Sequence, residues 1–171
     1  MNHVIVGAIE VLQQGRAMIS AITPEQYQQP MRKPFPASVG QHYRHILEHF
    51  VCFLQGMGTG LIDYDKRERN LRLETERAYA LQVTDFLIEA VSSISEAQVH
   101  AACAALYSVS YTAAANPIAS SVERELAYCV SHAVHHFALM RLICADAAIE
   151  VGGVSGIAPS TLQSRAGAAT A

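Results

Sequence analysis

Two histidines at helical spacing, His132 and His136 in the run Ser131-His132-Ala133-Val134-His135-His136, are the residues of this chain best suited to do chemistry. On an α-helix they lie one above the other on a single face. Imidazoles so placed hold one metal ion when a third ligand arrives from elsewhere. The donor segment is Gly40-Gln41-His42-Tyr43-Arg44-His45-Ile46-Leu47-Glu48-His49, with three more histidines. His45 is the first choice of third ligand and His49 the second, because these two are themselves neighbours on a helix. Three imidazoles with an open position make a catalytic arrangement, whereas four close the site into a structural one. Imidazole suits zinc and nickel alike, so the expected cofactor is one divalent ion, Zn or Ni, at His45, His132 and His136. Held by neutral ligands, such an ion keeps its charge and acidifies a bound water or takes a thiol as the thiolate. His49 and His135 flank the ligand stripe and are expected to relay protons.

Six of the eight histidines fall in these two clusters. Burying imidazoles on an otherwise apolar stripe is costly unless each finds a partner, and one ion satisfies two at once. His3 and His100 lie outside the clusters and read as ordinary hydrogen-bonded side chains. Cys52 and Cys129, about one turn from the histidines, default to inert buried thiols, though either can join a soft site. Glu125, two turns before His132, is either an acceptor for an imidazole N–H or a partner of the helix dipole.

The elements that must position these residues are helices. Apolar residues recur at helical spacing over residues 3–22, and Thr23-Pro24-Glu25-Gln26 can start a short helical turn. Pro30, Pro34 and Pro36 impose a loop. Ser38, with Gln41 three residues on, forms a capping box for a second helix running to about Gln55 and ending at Gly56 and Gly58. On its wheel His42, His45 and His49 share a sector with Ile46, Cys52 and Phe53, on or beside the buried face. A third long helix is expected from near Thr75 to near Ile94. A fourth, capped by Ser120 or Ser121, is expected to reach about Ile149 before Gly152 and Gly153. Between them Ala97 to Val122 carries no Asp, Glu, Lys or Arg. There the stretch Leu106 to Thr112 alternates enough for a short strand or hairpin.

The segment Thr59 to Leu73 concentrates charge. Tyr64, Asp65, Arg67 and Arg69 are expected to fold back over the mouth of the site, with Arg44 as the partner of Asp65. Residues 1–163 read as a single domain, and residues 164–171 as a disordered tail.

Composition narrows the function. With 51 % apolar and 16 % charged residues over 171 positions, the chain folds around a real core. A formal charge of −3 without a Lys/Arg cluster argues against nucleic acid as a partner. The uncharged Ala97–Val122 segment is too polar and too rich in alanine to span a membrane, so no membrane partner is expected. Four cysteines without CxxC spacing point to reduced thiols and a cytoplasmic setting.

The histidine layout resembles the DinB-like (YfiT-like) proteins, helical bundles with a His in the second helix and H-x-x-x-H in the last long one. His45 matches the first position, and His132 and His136 match the pair. Gln41 to His49, Asp63 to Arg69, Arg124-Glu125-Leu126 and Ala158-Pro159-Ser160-Thr161 are similar to an uncharacterised branch. Where the family usually has Arg-Gly-Gln after the last histidine, this chain has Phe137-Ala138-Leu139. The resemblance, over roughly residues 3–150, implies an all-α four-helix bundle with long crossover connections and a three-histidine metal site. It implies hydrolysis, or thiol-dependent transfer, on a small-molecule substrate with a low-molecular-weight thiol as a co-substrate, in a chain expected to be a homodimer. The competing expectation is a non-catalytic helical bundle whose histidines bind metal for stability, or bind none.

Overall fold

The computed structural model describes residues 1–31, 36–153 and 156–169. The looped reading at Pro34, and the tail residues Val154, Thr170 and Ala171, lie outside the described residues. Four long helices dominate: α1 (His3–Ser20), α3 (Val39–Thr59), α5 (Arg77–Ser92) and α7 (Val122–Asp146). Shorter helices are α2 (Pro24–Gln28), α4 (Leu71–Thr75), α6 (Glu96–Val99) and α8 (Pro159–Ala169). The long helices close a ring of contacts, α1 against α5 and α7, and α3 against α7 and α5. Ile5, Leu12 and Ile19 from α1, Ile46, Phe50 and Phe53 from α3, Leu87 from α5 and Leu126, Phe137 and Met140 from α7 enter one core.

Local chemistry sets the helix ends. Ser38 and Gln41 form the expected capping box at the start of α3, and Thr23 with Gln26 does the same for α2. Ser121 caps α7, with Glu123 and Glu125 in its first turn where the dipole favours carboxylates. The third long helix is α5, and the short α4 that precedes it, inside the segment expected to be a charged loop, ends at Glu76, which adopts a non-helical conformation.

A small sheet replaces the hairpin expected at Leu106 to Thr112. Strand β1 (Leu61–Asp63) pairs in parallel with β2 (Ala102–Leu106), which pairs antiparallel with β3 (Ile118–Ser121). Of the expected stretch only Leu106 is in a strand. The alternation there was real, but a strand forms where a partner backbone is delivered. Gly60, at φ 80°, ends α3 and turns the chain straight into β1. Gly56 lets β1 lie close, since a Cβ there would meet the Ile62 backbone. The register Leu61↔Ala104 then fixes β2.

Residues 164–169 form the second half of α8. Pro159 favours a first-turn position, and the alanines that follow favour helix. Among the described residues no helix is long and apolar enough to cross a membrane.

Candidate metal centre

Helices α3 and α7 cross with their histidines facing each other. His45 Nε2 lies 2.9 Å from His132 Nε2, and one ligand atom from each of His45, His132 and His136 falls within 4.8 Å of the others. Two donors about 2.0–2.1 Å from one ion stand roughly 3.4 Å apart at a tetrahedral angle, so the three rings are close enough to gather one with small side-chain adjustments. Among the described residues no other group of three or more His, Cys, Asp or Glu converges in this way. Two imidazole nitrogens at hydrogen-bond distance must share one proton, or else turn two lone pairs on a cation. The donor set therefore fits a divalent ion.

Burial prepares the rings for that role. Desolvation, reinforced by His49, His136, His132 and Arg67, pushes His45 down to about 2. Desolvation with the neighbouring rings pushes His136 to about 3, and His132 is lowered for the same first reason. All three are neutral at ordinary pH, with lone pairs available. His42, which sequence reasoning placed in the sector without a role, brings its Nδ1 to 2.9 Å from His136 Nδ1. A ring that spends one nitrogen on an outer partner presents the other in a fixed direction.

His49 is buried and lies over His132, ring centroids 4.3 Å apart. Its Nδ1 donates to the His45 carbonyl at 2.8 Å, which leaves Nε2 as an acceptor. Burial lowers it to about 4, against the raising effect of that same hydrogen bond. Tyr64 stacks on His49 at 5.4 Å, and its hydroxyl meets Cys129 Sγ at 3.7 Å. Cys129 is pushed up to about 12 by burial, an inert thiol outside the converging group. Tyr128 stacks on His132 at 5.5 Å and Tyr107 on Tyr128 at 6.2 Å, a wall no spacing rule suggested.

Other expected residues lie further out. His135 is exposed, edge-on to His136 at 5.4 Å. Glu125 is buried, but takes the Ser120 hydroxyl at 2.6 Å and Arg124 at 3.4 Å, with no imidazole among its described partners. In the charged loop Tyr64 is buried and Arg67 donates to its carbonyl at 2.7 Å, whereas Arg69 is exposed. Asp65 does not meet Arg44. It accepts from the Ser108 hydroxyl at 2.8 Å, and Arg44 pairs instead with Glu74 at 2.6 Å. The reason is α4, which brings Glu74 against α3 before the loop residue can reach Arg44. The signal for His42 was present, since it lies one helical turn before His45, but only the facing helix reveals its partner.

Comparison with known families matches residues 10–140, a span that contains all three converging histidines, to the DinB superfamily. The chain belongs to the DinB superfamily. Among curated proteins, this DinB chain is 34 % identical over 107 residues to FK506-binding protein 5 of Rhizopus delemar, covering 60 % of the chain and 27 % of that protein. It thus spans about a quarter of the length of the curated relative it matches. No solved structure matches the chain.

Proposed function

We propose that this DinB protein is a metal-dependent enzyme built on a four-helix bundle with long crossover connections. In this reading His45, His132 and His136 hold one divalent ion, Zn or Ni, and the reaction is hydrolysis or thiol-dependent transfer on a small molecule. The observation that carries it is the convergence of three neutral imidazoles from two helices within 4.8 Å. An ion held by neutral ligands alone would supply a strong Lewis acid that lowers the pKa of a water or thiol placed on it. The chain's own residues do the rest. His49 offers Nε2 as a fixed acceptor, and burial keeps that ring unprotonated until well below neutral pH. His135, on the solvent side of His136, gives a departing proton its way out. A low-molecular-weight thiol co-substrate, a homodimer and a cytoplasmic location belong to the same reading, of which only the last draws on the four free cysteines, since reduced thiols suit a reducing compartment.

A second reading has its own support. His42 and His49 crowd the centre closely enough that a fourth imidazole could close it, which is the hallmark of a structural site. The test is protein purified without an affinity tag, assayed for bound metal and then, metal-loaded, for turnover on ester, amide, epoxide and thiol-acceptor panels. Metal-dependent turnover lost in His132→Ala, with the melting temperature measured beside it, supports the enzyme. A stably folded, metal-loaded protein without turnover across those panels moves the conclusion to the non-catalytic bundle.

A further inference from the structure

Phe86 stands on α5 with 62 % of its surface exposed, a large ring that the core does not use. It lines two cavities between α3 and α5, of about 460 Å³ and about 260 Å³, and Val51 and Gln55 line both as well. The two therefore adjoin as one groove, and the larger alone falls within the size range of small-molecule sites, roughly 300–1,000 Å³. The space exists because α5 sets the short side chains of Ala90 and Ser93 against Leu54 and Met57 of α3. No histidine lines either cavity, so the groove is separate from the metal centre.

The two ends differ in chemistry. The larger is walled by Leu54, Met57, Leu87 and Ile94, with no Asp, Glu, Lys or Arg in its lining. The smaller adds Glu48, Lys66 and Glu68. Glu48 is only 5 % exposed. Its Oε1 accepts the Asn70 N–H at 2.7 Å, whereas Oε2 faces Arg67 Nε at 3.9 Å, beyond hydrogen-bond reach. Glu68 is exposed, with neither ion pair nor hydrogen bond among the described residues. Lys66, the cation in this lining, is answered by Asp63 at 3.3 Å. Spare carboxylate oxygens thus face the polar end while its lining cation is already paired. A buried carboxylate gains most from a cation that also donates hydrogen bonds to it.

We propose that the groove between α3 and α5 is a second ligand site, which binds a primary aliphatic amine. The ammonium group sits on Glu48 and Glu68, and the alkyl chain runs past Phe86 into the space between Leu54, Met57, Leu87 and Ile94. Charge selects the head and the uncharged lining selects the tail. Because none of the three converging histidines takes part, the site is occupied whether or not metal is bound.

The test is calorimetric titration of the full chain, chelator-treated so that no amine ligates a metal, with butylamine, hexylamine and octylamine, and with octanol and octanoate beside them. Affinity is expected to rise roughly three- to fourfold per methylene of the amine, the usual return on burying one. Octylamine is expected to bind about tenfold tighter than octanol, the reach of a charged hydrogen-bonded pair, with octanoate weakest. Glu48→Gln and Glu68→Gln each reduce the margin over octanol, Phe86→Ala flattens the dependence on chain length, and Arg16→Ala, remote on Asp85, behaves as the parent chain. Should Glu48→Gln fail to fold, the exposed positions Glu68 and Phe86 carry the test. Octylamine that does not saturate, octanol or octanoate binding as tightly as octylamine, or amine binding undiminished in both Glu68→Gln and Phe86→Ala overturns the site. Sedimentation of the same samples covers a further occupant. A dimer that Phe86→Ala dissociates and octylamine leaves intact gives the groove to a second copy of the chain, which also overturns the amine site. Each of these results leaves the metal centre standing.

Discussion

His42 and His136 meet Nδ1 to Nδ1 at 2.9 Å, so one of the two nitrogens must carry the proton and the other must accept it. If His136 donates, its Nε2 keeps a lone pair for an ion, and His42 becomes the residue that sets the direction of the ring.

That arrangement predicts a loss of metal affinity without loss of fold. His42→Ala is expected to weaken uptake by roughly 10–100-fold, the usual effect of removing an outer partner of a ligating imidazole. His42→Asn, which can still accept the hydrogen bond, should restore part of it. Competition against a chelator of known affinity measures both. Unchanged affinity in His42→Ala would remove the orienting role.

Metal should stabilise the protein by mass action, since the converging geometry exists only in the folded chain. At a hundredfold excess over the dissociation constant the gain is about 2.7 kcal/mol, or roughly 5–10 °C in melting temperature for a chain of this size. The shift should vanish in His132→Ala, which lacks one ligand. A His132→Ala protein that still gains the full shift would place the ion elsewhere.

The metal-free protein should lose stability in acid. Burial holds His45, His136 and His49 at about 2, about 3 and about 4. The unfolded chain takes up these protons near pH 6.5 while the folded chain does not. Stability is therefore full above that pH and falls as pH drops through it towards the folded values. Discounted for the partial exposure of His45 and His136, the loss by about pH 4.5 is on the order of a few kcal/mol. Urea midpoints across that range read it directly, and a flat profile would mean the rings are hydrated rather than buried.

Phe137 explains the departure from the usual family tripeptide. It is buried, and a Cβ on Gly15 of α1 would lie only 2.8 Å from its Cζ and from Tyr43 Cε2. Phe137→Ala should cost about 3–5 kcal/mol and Gly15→Ala about 1–3 kcal/mol by overpacking. Denaturant melts of both variants check this, and a neutral Phe137→Ala would show that α1 and α7 are not locked there.

The converging histidines were legible because donors able to share one ion repeat at helical spacing, one helix at a time. His132 and His136 announce a face, and a capping box at Ser38 places His45 on the next one. The sheet was not legible, because β1 and β2 are short, β2 holds alanines rather than β-branched residues, and their pairing joins segments far apart in sequence. Arg44 was assigned the wrong partner for a related reason. Charge pairs are decided by which backbone passes closest, and the arrival of α4 with Glu74 has no local signature near Asp65.

The two halves of the centre also meet at different moments in the life of the chain. His45 and His132 are 87 positions apart, and His42 and His136 are 94 apart. At about 5–20 residues per second of synthesis, α3 waits roughly 4–17 s before the first ligand of α7 has even been made. Throughout that interval the nascent polypeptide shows the cell three unpartnered imidazoles on one helix, able to seize whatever cation is at hand but unable to complete a site. An ion shared by all three converging imidazoles can therefore be held only once α7 has been made and has packed against α3.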